Sequence, residues 1–250
     1  MFLRYAFALI FLLQAGQVYA SGWLLNPYQF TTEEPASLLT DADVLGVWRF
    51  ENDLTDSSSV GNALSESSAV SYETATPTPP NGTYSLHLSG NYVYDTGTDY
   101  NVTGAFSFGG WFYFDADTDG FFGGRHGGGN YGWVLRRFAA NDNIEFGISS
   151  DGSSWSSGVS GNDVIVAATW YHVVCVYTGT AKKIYIDGSE YTGGDFPQAY
   201  SSGVYNPPVP FDIGYVDYGG DSLVGNVKDA FFFKRALSAA EISTIYTSGF

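Results

Sequence analysis

Residues 170–188, WYHVVCVYTGTAKKIYIDG, constrain the fold of this chain more than any other stretch. In an extended chain Trp170, His172, Val174 and Val176 share one face, and Tyr171, Val173, Cys175 and Tyr177 share the other. Both faces are largely apolar, so the spacing predicts a strand inside a sheet that is covered on both sides. Residues 178–183 supply turn formers, and Ile184-Tyr185-Ile186 resumes the extended pattern. Asp187-Gly188 then signals a hairpin, because a primed two-residue turn requires the positive φ that glycine accepts.

The remainder reads as further short strands between turn clusters. Residues 44–51 (VLGVWRFE) form a first strand, followed by the polar, turn-rich NDLTDSSSVGNALS. Short strands are expected at 69–72, 85–88 and 92–94, with the Pro-rich loop TATPTPPNGT between the first two. Residues 105–114 (AFSFGGWFYF) carry aromatics on both faces, and Gly109-Gly110 marks a bulge or a close backbone approach. Residues 115–130, with the run GGRHGGGN, read as a long loop. Strands resume at 131–138 and 144–148, and a polar loop leads to Val164. After the hairpin come a long aromatic loop (191–210) and strands at 211–215 and 224–233. Ser238 and Glu241 in RALSAAEI make a capping box, with Leu237 and Ile242 spaced as a hydrophobic staple. One helix to Ser248, stopped by Gly249, follows. The expectation is an all-β sandwich of two antiparallel sheets with one short C-terminal helix.

Five of these segments, in order, resemble the laminin-G-like (concanavalin A-like lectin/glucanase) jelly rolls: the W-x-F-E-x-x-L-x-D-S-S opening, the F-S-F-G-G-W strand, the W-Y-H strand with its I-Y-I-D-G hairpin, the closing K-D-A-F-F-F-K strand, and R-A-L-S-x-x-E-I. The resemblance spans residues 44–249 and implies one jelly-roll domain, 44–250. It also implies a fold that serves lectins, adhesion modules and glucanases. Related sandwiches often hold a structural calcium where the first and last strands meet, using a carboxylate of a G-x-x-x-D strand. Asp229 matches that position and Glu51 is its expected companion. An ion pair with Lys228 or Arg49 is the alternative reading of the same residues.

Composition narrows the partners. Ten Lys and Arg against 26 Asp and Glu leave a formal charge of −16, a field that repels phosphate backbones and excludes nucleic acid. The single cysteine, Cys175, allows no intramolecular disulfide and reads as core. Residues 1–20 have the layout of a secretory signal: Arg4, an apolar run over 5–13, and Val18-Tyr19-Ala20 before the cut. The run is short for a membrane span, no second one follows, and the mature chain is expected outside the cytoplasm without a transmembrane segment, with an uncleaved anchor as the alternative reading. Residues 21–43 form an N-terminal segment or linker whose Trp23, Tyr28 and Phe30 suggest docking. Its NPYQF resembles the starts of some phage virion proteins.

Catalysis finds little support. Glucanases of this shape carry alternating carboxylates in an E-x-D-x-x-E strand, for nucleophile and general acid. The nearest stretch, 142–146 (DNIEF), lacks that spacing, and Glu145 alone cannot supply both groups. His172, inside the apolar strand, reads as a hydrogen-bonded structural histidine. For His87 no partner can be named.

Two motifs carry binding chemistry. Asp115, Asp117 and Asp119 before Gly120 reproduce the first half of an EF-hand loop, but His126 stands where the bidentate Glu belongs, and a solvated hairpin loop is the competing reading. For sugars, loop aromatics stack on C–H faces while polar groups take hydroxyls. Trp155, Tyr200, Tyr205 and Tyr218 are the candidates, with Arg125 and His126 as polar partners. Asn81 and Asn101 open glycosylation sequons.

The sequence thus points to a secreted, non-enzymatic, calcium-assisted module that recognises a glycan or an extracellular or cell-surface protein through its loops. The alternatives are a structural or decorating subunit of a virion or other assembly, with self-association into a homo-oligomer, and a divergent glycoside hydrolase.

Overall fold

In the computed structural model, residues 38–74, 80–215 and 222–250 are described. The expected signal (1–20), Trp23, Tyr28, Phe30 and Tyr218 lie outside them. In chain order the strands are β1 (Val44–Trp48), β2 (Ser65–Glu66), β3 (Ser71–Glu73), β4 (Ser85–Ser89), β5 (Val93–Asp95), β6 (Phe106–Phe114), β7 (Gly120–Gly127) and β8 (Asn130–Phe138). They continue as β9 (Asn143–Ile148), β10 (Ser156–Val159), β11 (Trp170–Tyr177), β12 (Ala181–Ile186), β13 (Ser189–Glu190), β14 (Gln198–Ala199), β15 (Phe211–Ile213) and β16 (Val224–Phe233), and the helix is α1 (Ala239–Ser248).

The hairpin forms as its sequence dictates. Strand β11 pairs antiparallel with β12 on one edge and β6 on the other. Asp187 (φ 48°) and Gly188 (φ 77°) make the turn into β13. Two antiparallel sheets result. One runs β13-β12-β11-β6-β16-β4-β3, with β1 also on β16 and β14 on β12, and the other runs β10-β9-β8-β7-β15-β5-β2. Strand β16 is the spine of the first. Strand β6 lines one of its edges, while β4 and β1 share the other, meeting residues 224–227 and 230–233.

The core lies between the sheets, where Phe106, Phe108, Trp133, Phe211 and Phe232 interlock. Phe211 and Phe232 stack at 5.4 Å and 10°. Each such ring contributes about 1.5–3 kcal/mol by leaving water. Val173, Cys175 and Tyr177 face this core, and burial pushes the Cys175 thiol pKa up. On the outer face of the first sheet, Val174, Val176, Phe231 and Phe233 are covered by Leu237, Ile242 and Ile245 from the helix and its entrance. The capping box is present, with the Ser238 hydroxyl accepting from the Glu241 amide and the Glu241 carboxylate from the Ser238 amide. Gly249 closes the helix.

Several expectations change. The stretches read as loops after 148 and over 191–210 contain the short strands β10, on β9, and β14, on β12. Residues 120–127 are a buried strand, because their glycines are packing residues: a Cβ on Gly123 would lie 2.6 Å from the Phe108 ring. His172 is fully buried under α1 beside Trp111 (5.3 Å) and Tyr246 (5.8 Å), but neither ring nitrogen has a hydrogen-bond partner. It is an aromatic filler, not a hydrogen-bonded histidine.

Candidate functional site

The β7–β8 hairpin carries Arg125 and His126 to its tip at residues 127–130, and both side chains are buried. The Arg125 guanidinium donates to the Tyr100 carbonyl (3.1 Å), the Asn101 side-chain oxygen, and the carbonyls of Pro207 (3.0 Å) and Val209 (2.9 Å). It thereby clamps two chain segments against the sheet. Burial lowers its pKa, and Asp212 partly offsets that. Asn206 adds a two-point bond to the Val102 backbone, at 2.9 and 3.0 Å. These braces fix the walls of two clefts that share Val209 and Pro210.

The first cleft, about 460 Å³, is lined by 96–98, Asn101, Arg125 and 206–210. The second, about 410 Å³, is lined by Tyr92, His126, Gly127, Gly128, Asn130, Asp212 and Tyr215 beside the shared pair. Tyr92 stacks on Tyr215 at 4.5 Å and 19°, and Tyr94 is 5.8 Å away. Such a cleft offers an aromatic wall, an amide and an acceptor-only carboxylate in a volume suited to a sugar ring or two. His126 is wedged edge-on against Tyr131 (4.7 Å) and Trp155 (5.2 Å).

Of the sequence candidates, Arg125 and His126 line the clefts, while Trp155 reaches them only through His126. Tyr205 is drawn to the neighbouring turn, its amide 2.7 Å from the Ser149 carbonyl and its ring against Gly152. Tyr200 belongs to the β12–β14 edge. Its hydroxyl donates to Gly203 (2.9 Å), and the Lys182 ammonium lies 5.2 Å from its ring. That ammonium is itself buried on the Ser156 carbonyl (2.6 Å), with a pKa depressed to about 8 by desolvation. Sequence reading missed Tyr92, Asn130, Asp212 and Tyr215. The signal was the outward register of Y-V-Y (92–94) and F-D-I (211–213), each placing polar side chains opposite core residues.

The expected metal ligands do not converge. Asp115 pairs with His87 (3.0 Å), Asp117 accepts from Arg137 (2.6 Å), and Asp119 accepts from the Ala139 amide (2.6 Å). The EF-hand reading is corrected accordingly, and His87 acquires its partner. At the β1–β4 junction Glu51 and Asp229 do come together, but around the buried Lys228 ammonium. It donates to Glu51 and to the Arg49 carbonyl (2.8 Å) and lies 3.8 Å from Asp229. Burial raises the Glu51 pKa, and the Lys228 bond with the Thr83 and Tyr84 amides outweighs it, so the net shift is downward. Asp229 is pushed up by burial. A donor set with an ammonium at its centre does not fit calcium, and the ion-pair reading of these residues is the one the geometry matches. Among the described residues no three His, Cys, Asp or Glu side chains are grouped to hold a metal ion.

Glu145 is buried in an ion pair with Arg136, whose guanidinium lies over Phe121 and Phe138. Among the described residues no helix is long and apolar enough to cross a membrane.

Comparison with solved structures gives several chains of similar fold. The binding domain of Paraclostridial Mosquitocidal Protein 1 superposes with a TM-score of 0.62 at 11% identity, over 82% of this chain and 52% of that one. The binding domain of botulinum neurotoxin DC in complex with rat synaptotagmin II gives 0.63 at 15%, over 82% and 51%. A botulinum neurotoxin type C structure concerned with two ganglioside molecules gives 0.61 at 18%, over 83% and 51%. The chain thus spans about half the length of these neighbours, and at such identities the likeness is one of fold. No curated protein matches the sequence. A family model matches residues 88–243, and the chain belongs to the laminin-G-like group of the concanavalin A-like lectin/glucanases superfamily.

Proposed function

We propose that this protein is a non-catalytic binding module, acting outside the cytoplasm, that recognises carbohydrate through the clefts beside the β7–β8 tip. The observation that carries the reading is the 410 Å³ cleft, with the Tyr92–Tyr215 stack as one wall and Asn130 and Asp212 among its polar groups. Ring faces take sugar C–H groups, and amides and carboxylates take hydroxyls, which is what a lectin site needs. Family membership supports it, as do fold neighbours described with gangliosides, a sialyl ligand or synaptotagmin. The signal-like residues 1–20 support the location.

Hydrolysis is disfavoured by the state of Glu145, which is held by Arg136 and has no second carboxylate at retaining distance on its strand. Calcium has no part in the proposal, because the expected ligands are engaged by Lys228, Arg137, His87 and a backbone amide. A glycan array on the purified chain, run in calcium and in chelator, tests the reading. Selective binding in both conditions is expected. A blank array in both overturns it.

A further inference from the structure

Resting on the carbohydrate reading, the charge arrangement of the site narrows the ligand class. We infer that the clefts select uncharged glycans and reject sialylated or sulfated ones. Binding a sugar carboxylate or sulfate calls for a cation that can turn its donors to the ligand, as Arg does in bidentate recognition. Among the described residues, Arg125 is the only Lys or Arg lining either cleft. Its two terminal nitrogens already donate to three backbone carbonyls and the Asn101 side chain, and it is 4% exposed. Arg125 therefore shapes the site: both terminal nitrogens are committed elsewhere, and the remaining Nε–H, which has no partner, is buried.

Among the described residues the one exposed lysine is Lys234, which faces a separate cleft of about 180 Å³ over 101–105. Of the ten Lys and Arg in the chain, Arg4 alone falls outside the described residues, within the signal-like segment. Opposing an anionic ligand are the Asp212 carboxylate on the cleft wall and the formal charge of −16. Like charges brought together in a partly buried site cost affinity directly. Hydroxyl-rich neutral sugars suffer no such penalty, and a carboxylate accepts the hydrogen bonds their hydroxyls donate.

The test is a matched series: neutral glycans ending in galactose, glucose or N-acetylglucosamine, and the same glycans carrying terminal sialic acid or sulfate. Binding is measured at about pH 7.5, above the ordinary histidine range. The neutral members should bind, and each charged counterpart should bind about tenfold or more weakly, with the gap narrowing as salt screens the repulsion. In Asp212→Asn, checked for native circular dichroism, the gap should also shrink. Equal or tighter binding of the charged members overturns this inference and leaves the carbohydrate reading standing. Failure of every member to bind overturns both.

Discussion

Trp155 lies flat on Tyr131, with ring centroids 4.9 Å apart and planes within 5°. The pair closes over His126, and Trp155 packs with Phe121 and Val134 in a small apolar cluster on the outer face of the second sheet. Trp155→Ala should cost about 1–2 kcal/mol in urea unfolding, since it removes one aromatic pair and part of a half-buried indole. It should also weaken glycan binding by loosening His126.

Arg125→Lys tests the clamp. A lysine retains the charge but cannot span four acceptors on two segments. Stability should fall by about 2–4 kcal/mol, with buried carbonyls left unpaired. Glycan affinity should fall more than in Lys234→Ala, which serves as a charge control. Calorimetric titration and denaturant melts check both effects.

The β1–β4 junction should be stable without calcium. Melting temperature is expected to be the same in calcium and in chelator. Lys228→Met leaves Asp229 and Glu51 without their common cation and should cost about 3–5 kcal/mol. A rise of several degrees on adding calcium to the wild type would contradict the role given to Lys228.

His172 gives the chain an acid sensitivity. Its pKa falls from 6.5 to about 3 through desolvation. The folded state therefore keeps it neutral while the unfolded chain takes up a proton below about pH 6.5. Stability is full above that pH and is lost as pH falls toward the folded value, at up to about 1.4 kcal/mol per unit, or about 2 kcal/mol by pH 5. Asp187 and Asp229 are shifted upward by burial and act in the opposite sense. Comparison of the urea midpoint against pH in wild type and His172→Leu isolates the histidine, and the variant should show the flatter profile.

Gly225 sits at φ 150°, and a Cβ there would lie 1.9 Å from the Tyr113 carbonyl oxygen. Gly225→Ala should destabilise by about 2–4 kcal/mol, because the β6–β16 pairing must open to admit it.

The fold was legible wherever local chemistry and tertiary context agree. The apolar faces of β11, the Asp187-Gly188 turn and the Ser238/Glu241 box each have one local solution, and the structure contains all three. Gly109 and Gly110 also read correctly as a close approach, since a Cβ on either would fall within 3.0 Å of neighbouring backbone. Strand β7 was hidden because its glycines resemble a loop until Phe108 and Asp212 are packed against them. That reading placed Arg125 and His126 in a long loop instead of on a buried strand in the walls of the clefts. The site was less legible for the same reason. Tyr92, Asn130 and Asp212 are far apart in sequence and ordinary in local context, and only sheet order brings them together. The calcium expectation turned on Lys228, whose ammonium reaches inward to the two carboxylates, a direction that strand alternation alone does not specify.

The central claim is that the cleft between Tyr92, Asn130 and Asp212 holds a sugar. Titration of one array-positive glycan into wild type, Tyr92→Ala and Tyr200→Ala tests it most directly. Loss of the stacking wall should weaken binding about tenfold in Tyr92→Ala, while Tyr200→Ala stays close to wild type. Equal affinity in all three proteins, or a loss confined to Tyr200→Ala, would contradict the assignment.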